Sequence, residues 1–283
     1  MRLGHLGPAG TFTEEAARAA ASDAGELVPY PTVRDTVAAV LDGEVDAALV
    51  PIENSLEGVV TATVDALSAE PRLRMVGEAV LSVRQCLIAR EEVALSDIAE
   101  VRSHPQALAQ SARFLREWLP GARLVATGST AEAVASLNGT SEGPAAAIAS
   151  RSAAALHGGV LLREGIEDED GNATRFAWLA IEGAPAFPPP APDATWKTSV
   201  LFAGAGDAKP GWLVRCLSEF AFRGVNLVKI ESRPARRRLG HYLFLADCEG
   251  READPAVADT LVGLRAHCDQ VRVLGTYPAA PPP

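Results

Sequence analysis

The sequence predicts an α/β protein in two parts, a layered domain of two lobes followed by a smaller βαββαβ unit, and three observations lead there. Short apolar runs alternate with Ala-rich amphipathic segments up to residue 182. From Gly183 to Lys197 this periodicity is lost, and Pro185, Pro188, Pro189, Pro190 and Pro192 stiffen the chain into an extended connector. Beyond the connector the order of the segments changes.

In order, Leu3 to Leu6 reads as a strand, Thr13 to Ser22 as a helix, Ala47 to Val50 as a buried strand and Val60 to Leu67 as a helix. A second series comprises strand-like Val76 to Ala89, a helix from Pro105 to Trp118, a strand Arg123 to Ala126, a helix from Thr130 to Asn138, a strand Ala145 to Ile148 and a helix from Ser150 to Leu156. The strand Thr174 to Ile181 closes the domain. The two lobes are then roughly 1–76 with 172–182, and 77–171, with crossing connections and a cleft between them. After the connector come strand Thr198 to Ala203, helix Gly211 to Phe222, strands Asn226 to Ser232 and Tyr242 to Ala246, helix Ala256 to His267 and strand Gln270 to Thr276. This is the ferredoxin-like order, over 198–277. The Pro-rich end, 278–283, reads as a disordered tail.

With 283 residues and 48% hydrophobic content the chain can bury full cores. Twenty-six basic against thirty-six acidic side chains leave a formal charge of −10, which argues against nonspecific attraction to nucleic acid or an anionic membrane. No apolar run approaches ~18 residues, and the first residues lack the apolar stretch of a secretory signal, so a cytoplasmic location is expected. Cys86, Cys216, Cys248 and Cys268 lie far apart in sequence and without His at ligand spacing; they read as reduced, packed thiols rather than a zinc site or disulfide framework.

Four polar clusters sit at expected strand ends or helix starts. Gly7-Pro8-Ala9-Gly10-Thr11-Phe12 leads into a capping box, Thr11-Phe12-Thr13-Glu14, whose free backbone N–H groups suit a carboxylate, although a capping box is equally a plain structural helix start. Ser103-His104-Pro105-Gln106 repeats the logic, with Ser103 as cap, Pro105 in the first turn and Gln106 completing the box. Pro51-Ile52-Glu53-Asn54-Ser55 places a carboxylate, an amide and a hydroxyl at the carboxyl edge of a sheet, where ligands of α/β proteins bind. Thr174-Arg175-Phe176 follows the acidic run Glu167 to Asp170. Strand alternation points Thr174 and Phe176 to one face as site candidates and Arg175 to the other, as carboxylate binder or as brace. Together these describe a cleft lined by hydrogen-bond donors.

In this order the motifs resemble prephenate dehydratases that carry a C-terminal ACT regulatory domain. Val225-Asn226-Leu227 and Glu231-Ser232-Arg233-Pro234 match the ACT effector region, so the resemblance runs from Leu3 to about Thr276. It implies a first domain shaped like type II periplasmic binding proteins and conversion of prephenate to phenylpyruvate, carbon dioxide and water, without metal or organic cofactor. It also implies that Thr174 donates to the departing hydroxyl, with Glu53, Asn54 and Ser55 as neighbours and Thr11, Ser103, Gln106, Arg175 and Phe176 contacting substrate. For the ACT unit it implies a homodimer or homotetramer binding an amino acid, L-phenylalanine, through Gly211, Leu213, Gly224, Val225, Asn226, Leu227, Glu231 and Ser232. Trp212 departs from the Ala usual at that position and would fill or reshape the effector pocket if it faces it. Arogenate dehydration, decarboxylation without aromatisation, and a cytoplasmic sensor of amino acids or carboxylates are the rival readings.

Overall fold

The structure, a computed structural model, describes residues 1–21, 25–139, 143–204, 209–235 and 241–281. It divides into two compact units, one holding Met1–Val60 and Val80–Phe176, the other Thr61–Ala79 and Ala177–Pro281.

The chain up to Ile181 forms two sheets, with Thr61–Ala79 and residues 177–181 belonging to the second unit. It begins with β1 (Arg2–Leu6), α1 (Phe12–Ala20), β2 (Glu26–Tyr30), α2 (Val33–Leu41), β3 (Ala47–Asn54) and β4 (Gly58–Val59). β1 pairs in parallel with both β2 and β3, and the apolar run Ala47 to Val50 in β3 is buried on both faces, as an interior parallel strand requires. After α3 (Thr61–Ala69) come β5 (Leu73–Ser82), β6 (Cys86–Ala89), β7 (Glu100–Ser103), α4 (Pro105–Gln110), α5 (Ala112–Trp118), β8 (Arg123–Ala126), α6 (Thr130–Ala135), β9 (Ala145–Ala149), α7 (Arg151–His157), β10 (Val160–Glu164) and β11 (Ala173–Ile181). The sheet orders are β2-β1-β3-β11-β5, with β4 on β3, and β10-β6-β9-β7-β8. In the second sheet Ile88 and Ala147 pack toward α6 and α7, while Leu87 and Ile148 pack with Leu115 and Val101 on the opposite face. Period-two alternation thus feeds two cores from one sheet.

In the second unit β12 (Trp196–Ala203), α8 (Trp212–Phe222), β13 (Leu227–Pro234), β14 (Tyr242–Glu249), α9 (Pro255–His267) and β15 (Gln270–Pro278) follow the predicted βαββαβ order. β12 lies between antiparallel β14 and β15, giving the order β13-β14-β12-β15. Phe202 and Val200 from the sheet meet Trp212, Cys216 and Phe220 of α8 and Leu261 and Leu264 of α9 in one core. The four cysteines are buried and free, and Cys216 Sγ lies 3.6 Å from Cys268 Sγ, a proximity their sequence separation did not suggest.

The structure corrects several expectations. The helix expected from Pro105 to Trp118 is two helices that meet at Ser111, because the Asp168 carboxylate takes the backbone N–H of Arg113 at 2.9 Å. The strand expected over Val76 to Ala89 is two, separated where Val83 N donates to Asn172 O and Gln85 N to Glu167 Oε2. The Pro-rich connector is not merely extended: Phe187 is buried edge-on against Trp178 at 4.7 Å, and its N–H donates to Val76 O. The tail is ordered through Ala280, since β15 runs to Pro278, Ala279 N donates to Thr195 O and Ala280 N to Glu78 Oε1. Arg236 to Arg238, which the sequence suggests form a solvated basic turn between two strands, lie outside the described residues.

Candidate functional site

Asn54, the last residue of β3, and Thr174, in the first turn of alternation of β11, bring the two strongest motifs together. Asn54 is nearly buried, and its side-chain N–H2 donates to Thr174 Oγ1 at 3.0 Å, Asn172 Oδ1 at 2.8 Å and Ala173 O at 3.2 Å. Its carbonyl oxygen is fixed in turn by the N–H groups of Leu56 and Glu57. The amide therefore cannot rotate without losing donors and acceptors on both ends. Ser55 closes the turn: its backbone N–H donates to Ala173 O at 2.9 Å, and its Oγ accepts from Ala173 N at 3.0 Å.

A line of amides extends behind this pair. Asn172, 3% exposed, donates through Nδ2 to Gln110 Oε1 at 3.2 Å, and Gln110 Nε2 donates to Glu57 Oε1 at 3.4 Å. Donation runs outward from the Asn54 amide in two directions, to Thr174 on one side and through Asn172 and Gln110 to Glu57 on the other. Sequence reasoning assigned roles to none of Glu57, Gln110 and Asn172. Two signals were present: Asn172 precedes Thr174 by two, hence shares its face in an extended chain, and Gln110 follows Gln106 by four, hence shares its helix face.

Glu53 and Arg175 take the alternate positions on the same two strands. The guanidinium, 12% exposed, has its NH1 3.6 Å from Glu53 Oε2, so Glu53 is a partner of Arg175 and not of the Thr174 hydroxyl. Phe176 is also a correction: it is 1% exposed, among the largest fully buried side chains, because the strand has by then entered the core. It forms no open wall beside Thr174.

Thr11 behaves as expected of a cap, accepting from Glu14 N through Oγ1 and donating to Leu6 O. Glu14 accepts from Gly10 N at 2.5 Å and pairs with Arg18. Burial opposes its ionisation, but these two partners outweigh it and hold the carboxyl below its ordinary range. Beside this turn, Gly7, Pro8, Tyr30, Ala131 and His157 line a mostly apolar cavity of about 690 Å3. Ser103 is not the cap of α4. It is fully buried and donates to Ile148 O at 2.6 Å, stapling β7 to its neighbouring strand, while His104 caps the helix through Nδ1, accepting from Gln106 N. The Gln106 side chain is exposed.

In the second unit, Gly211, with a left-handed φ of 78°, opens α8 and with Trp212, Leu213, Tyr242 and Phe244 lines a cavity of about 240 Å3. Trp212 faces it without filling it: the indole is 4% exposed, packs against Phe202 and Phe244, and donates through Nε1 to His267 O at 2.7 Å. Gly224, Val225, Asn226 and Leu227 lie past the other end of α8, which at ~1.5 Å per residue is about 16 Å away. Leu227, Lys229 and Glu231 are half-buried while Ser232 falls on the exposed face of β13. One chain does not gather the expected effector residues around one point.

The description of the prephenate dehydratase family matches residues 3–184. A prephenate dehydratase of Amycolatopsis methanolica is 40% identical over 279 residues, covering 99% of this chain and 89% of the relative. The solved structure of a prephenate dehydratase from Arthrobacter aurescens, in complex with L-Phe, superposes with a TM-score of 0.88 at 40% identity, covering 98% of this chain and 90% of that one. A second solved structure, GqqA, described as a novel type of quorum-quenching acylase, has a TM-score of 0.85 at 32% identity and covers 99% of both chains. With more than half its length matched by one family and near-full-length relatives at this identity, the chain belongs to the prephenate dehydratase family.

Proposed function

We propose that the chain catalyses decarboxylating dehydration of prephenate to phenylpyruvate, carbon dioxide and water, in phenylalanine biosynthesis, with Thr174 as donor to the departing hydroxyl. The hydrogen bond from Asn54 to Thr174 Oγ1 carries this reading. As the ring carboxylate leaves as carbon dioxide, its bonding pair enters the ring and the C–O bond to the hydroxyl breaks. That oxygen takes a proton and leaves as water. Aromatisation supplies the drive, so the protein needs only to stabilise the charge moving onto the leaving oxygen. A threonine hydroxyl is a weak acid alone. Here Oγ1 accepts from the Asn54 amide, which supports negative charge on it as its own proton is given up, and solvent restores the proton.

Arg175 is the cation proposed for a substrate carboxylate, with Glu53 fixing its plane. Thr11 and Gln106, at the starts of α1 and α4, are proposed further contacts through helix ends. For Ser103 and Phe176, both buried, only support of the site remains. Two sheets, each joining strands from distant parts of the chain, support a type II periplasmic-binding-protein-like domain over 1–182, followed by the connector 183–197 and an ACT domain over 198–277. We assign the latter an amino-acid effector, L-phenylalanine, by likeness to the complex from Arthrobacter aurescens. Because Gly211 and Leu213 are separated from Gly224 to Leu227 within one chain, two copies paired through this domain would complete the site, making a dimer or tetramer. Among the described residues no helix is long and apolar enough to cross a membrane, and a cytoplasmic location is proposed with the pathway.

Purified protein mixed with prephenate tests the reading: phenylpyruvate should form at the rate prephenate disappears. Prephenate that binds without turnover would leave a sensor, and a decarboxylated, non-aromatic product would leave the partial reaction. Since one similar structure is described as an acylase, hydrolysis of an acylated signal molecule is the control for a different chemistry.

A further inference from the structure

A polar cavity of about 420 Å3 in the second unit is lined by arginines from three separate elements, Arg74 of β5, Arg265 of α9 and Arg272 of β15, with Glu182 and Glu252 also among its lining residues. Three positive and two negative side chains leave it locally cationic in a chain whose formal charge is −10. Arg74 is satisfied: it forms an ion pair with Glu182 and donates to Leu73 O at 3.0 Å. Arg272 is not. Its NH2 donates to the main-chain oxygen of Leu67, its Nε is buried without a hydrogen-bond partner, and no carboxylate among the described residues forms an ion pair with it. Burial first, and then the neighbouring Arg74, push its pKa below the ordinary arginine value against a smaller opposing effect of the Glu70 carboxylate, so its charge is held at a cost.

The backbone presents this group in an unusual way. Opposite β12, the pairing of β15 slips between Gly275 and Val273, so one extra residue is inserted next to the cavity. Such a bulge re-aims the side chains that follow or precede it. At the same bulge an added Cβ on Gly275 would lie 2.0 Å from Met75 O, so these two lining backbones approach closely and no side chain fits between them.

We propose that this cavity is a binding site for a small oxyanion, a carboxylate or phosphate, held by the forks of Arg272 and Arg265 beside Arg74. Planar guanidinium groups match these anions through paired N–H donors. The volume falls within the range of small-molecule sites. The site involves none of the residues assigned to prephenate or to the amino-acid effector.

Calorimetry on the full chain tests it, with inorganic phosphate titrated in one arm and malonate in the other, at constant ionic strength in a chloride buffer. At least one arm should give a saturable site, with affinity lowered about tenfold or more in Arg272→Gln or Arg265→Gln, the loss of one charge-assisted fork. The arm that saturates identifies the anion class. Arg265 is exposed, so its variant keeps the test valid should Arg272→Gln fail to fold. No saturable heat in either arm up to about 20 mM, or unchanged affinity in both variants, overturns the proposal. Neither readout involves prephenate, so either result stands apart from the catalytic reading.

Discussion

Asn54 Nδ2 donates to Thr174 Oγ1 across 3.0 Å, joining residues 120 apart in sequence and leaving the threonine proton free to be donated elsewhere. Removing the hydroxyl in Thr174→Ala should lower kcat by ~10² or more, the usual size of an acid or oxyanion contribution. Thr174→Ser keeps the oxygen and should keep most of the activity. Asn54→Asp keeps the shape but replaces the donor with an anion, and should lower kcat comparably. Steady-state rates near wild type for Thr174→Ala would remove the residue from the mechanism.

The amides behind that pair make a second test. Asn172 is buried between Asn54 and Gln110, so Asn172→Ala leaves both neighbours short of a partner, at ~1–3 kcal/mol of stability. A positioning role predicts more: kcat falls at temperatures where the variant is fully folded, and KM changes little. Equal thermal destabilisation with unchanged kcat would reduce Asn172 to a packing residue.

Where local chemistry decided the outcome, the sequence was readable. The βαββαβ order, the Thr11 cap and the motif at Glu53 to Ser55 all follow from alternation, capping preference and turn residues. What failed was set by distant partners. Nothing between Pro105 and Trp118 announces the break at Ser111, because the carboxylate that takes the Arg113 N–H comes from Asp168. Ser103 looked like a cap because its neighbours fit the box, yet the acceptor that captures it, Ile148 O, lies on another strand. Strand β2 and helix α2 were missed altogether; Pro29 within the strand and Pro31 just after it break the pattern that would announce them.

Variants of Arg175 and Glu53 would separate binding from chemistry. If the guanidinium meets a substrate carboxylate, Arg175→Gln should raise KM by about tenfold or more, the loss of a charge-assisted contact, with a smaller effect on kcat. Glu53→Gln removes the partner 3.6 Å away and should move KM in the same direction by less. A loss confined to kcat in Arg175→Gln would assign the cation to the transition state instead.

His5 gives the fold a pH dependence. It is 1% exposed, and burial above all lowers its pKa from the ordinary 6.5, while its ring nitrogen Nδ1 is within 3.2 Å of Leu6 O and Glu14 and Arg18 act on it in opposite senses. The unfolded chain therefore binds this proton at a higher pH than the folded chain does. Stability must fall as pH drops below about 6.5, until the folded-state pKa is reached. Thermal melts across that range should show the decline in the wild type and a shallower one in His5→Gln. Parallel curves would assign the slope to other groups.

Trp212 offers a test of whether the cavity at the start of α8 holds the proposed effector. The indole is held by its N–H on His267 O and by two phenyl rings, and the 240 Å3 cavity opens beside it. Trp212→Ala should cost ~3–5 kcal/mol as a buried aromatic truncation, which confounds any binding measurement. Trp212→Phe is more informative: it keeps an aromatic wall, loses the bond to His267 O at ~1–3 kcal/mol, and widens the cavity. Calorimetry with L-phenylalanine should then show an altered affinity in the folded variant. If wild type and Trp212→Phe bind equally, the cavity at the start of α8 is not the effector site. If neither binds, L-phenylalanine is not the effector of the second unit.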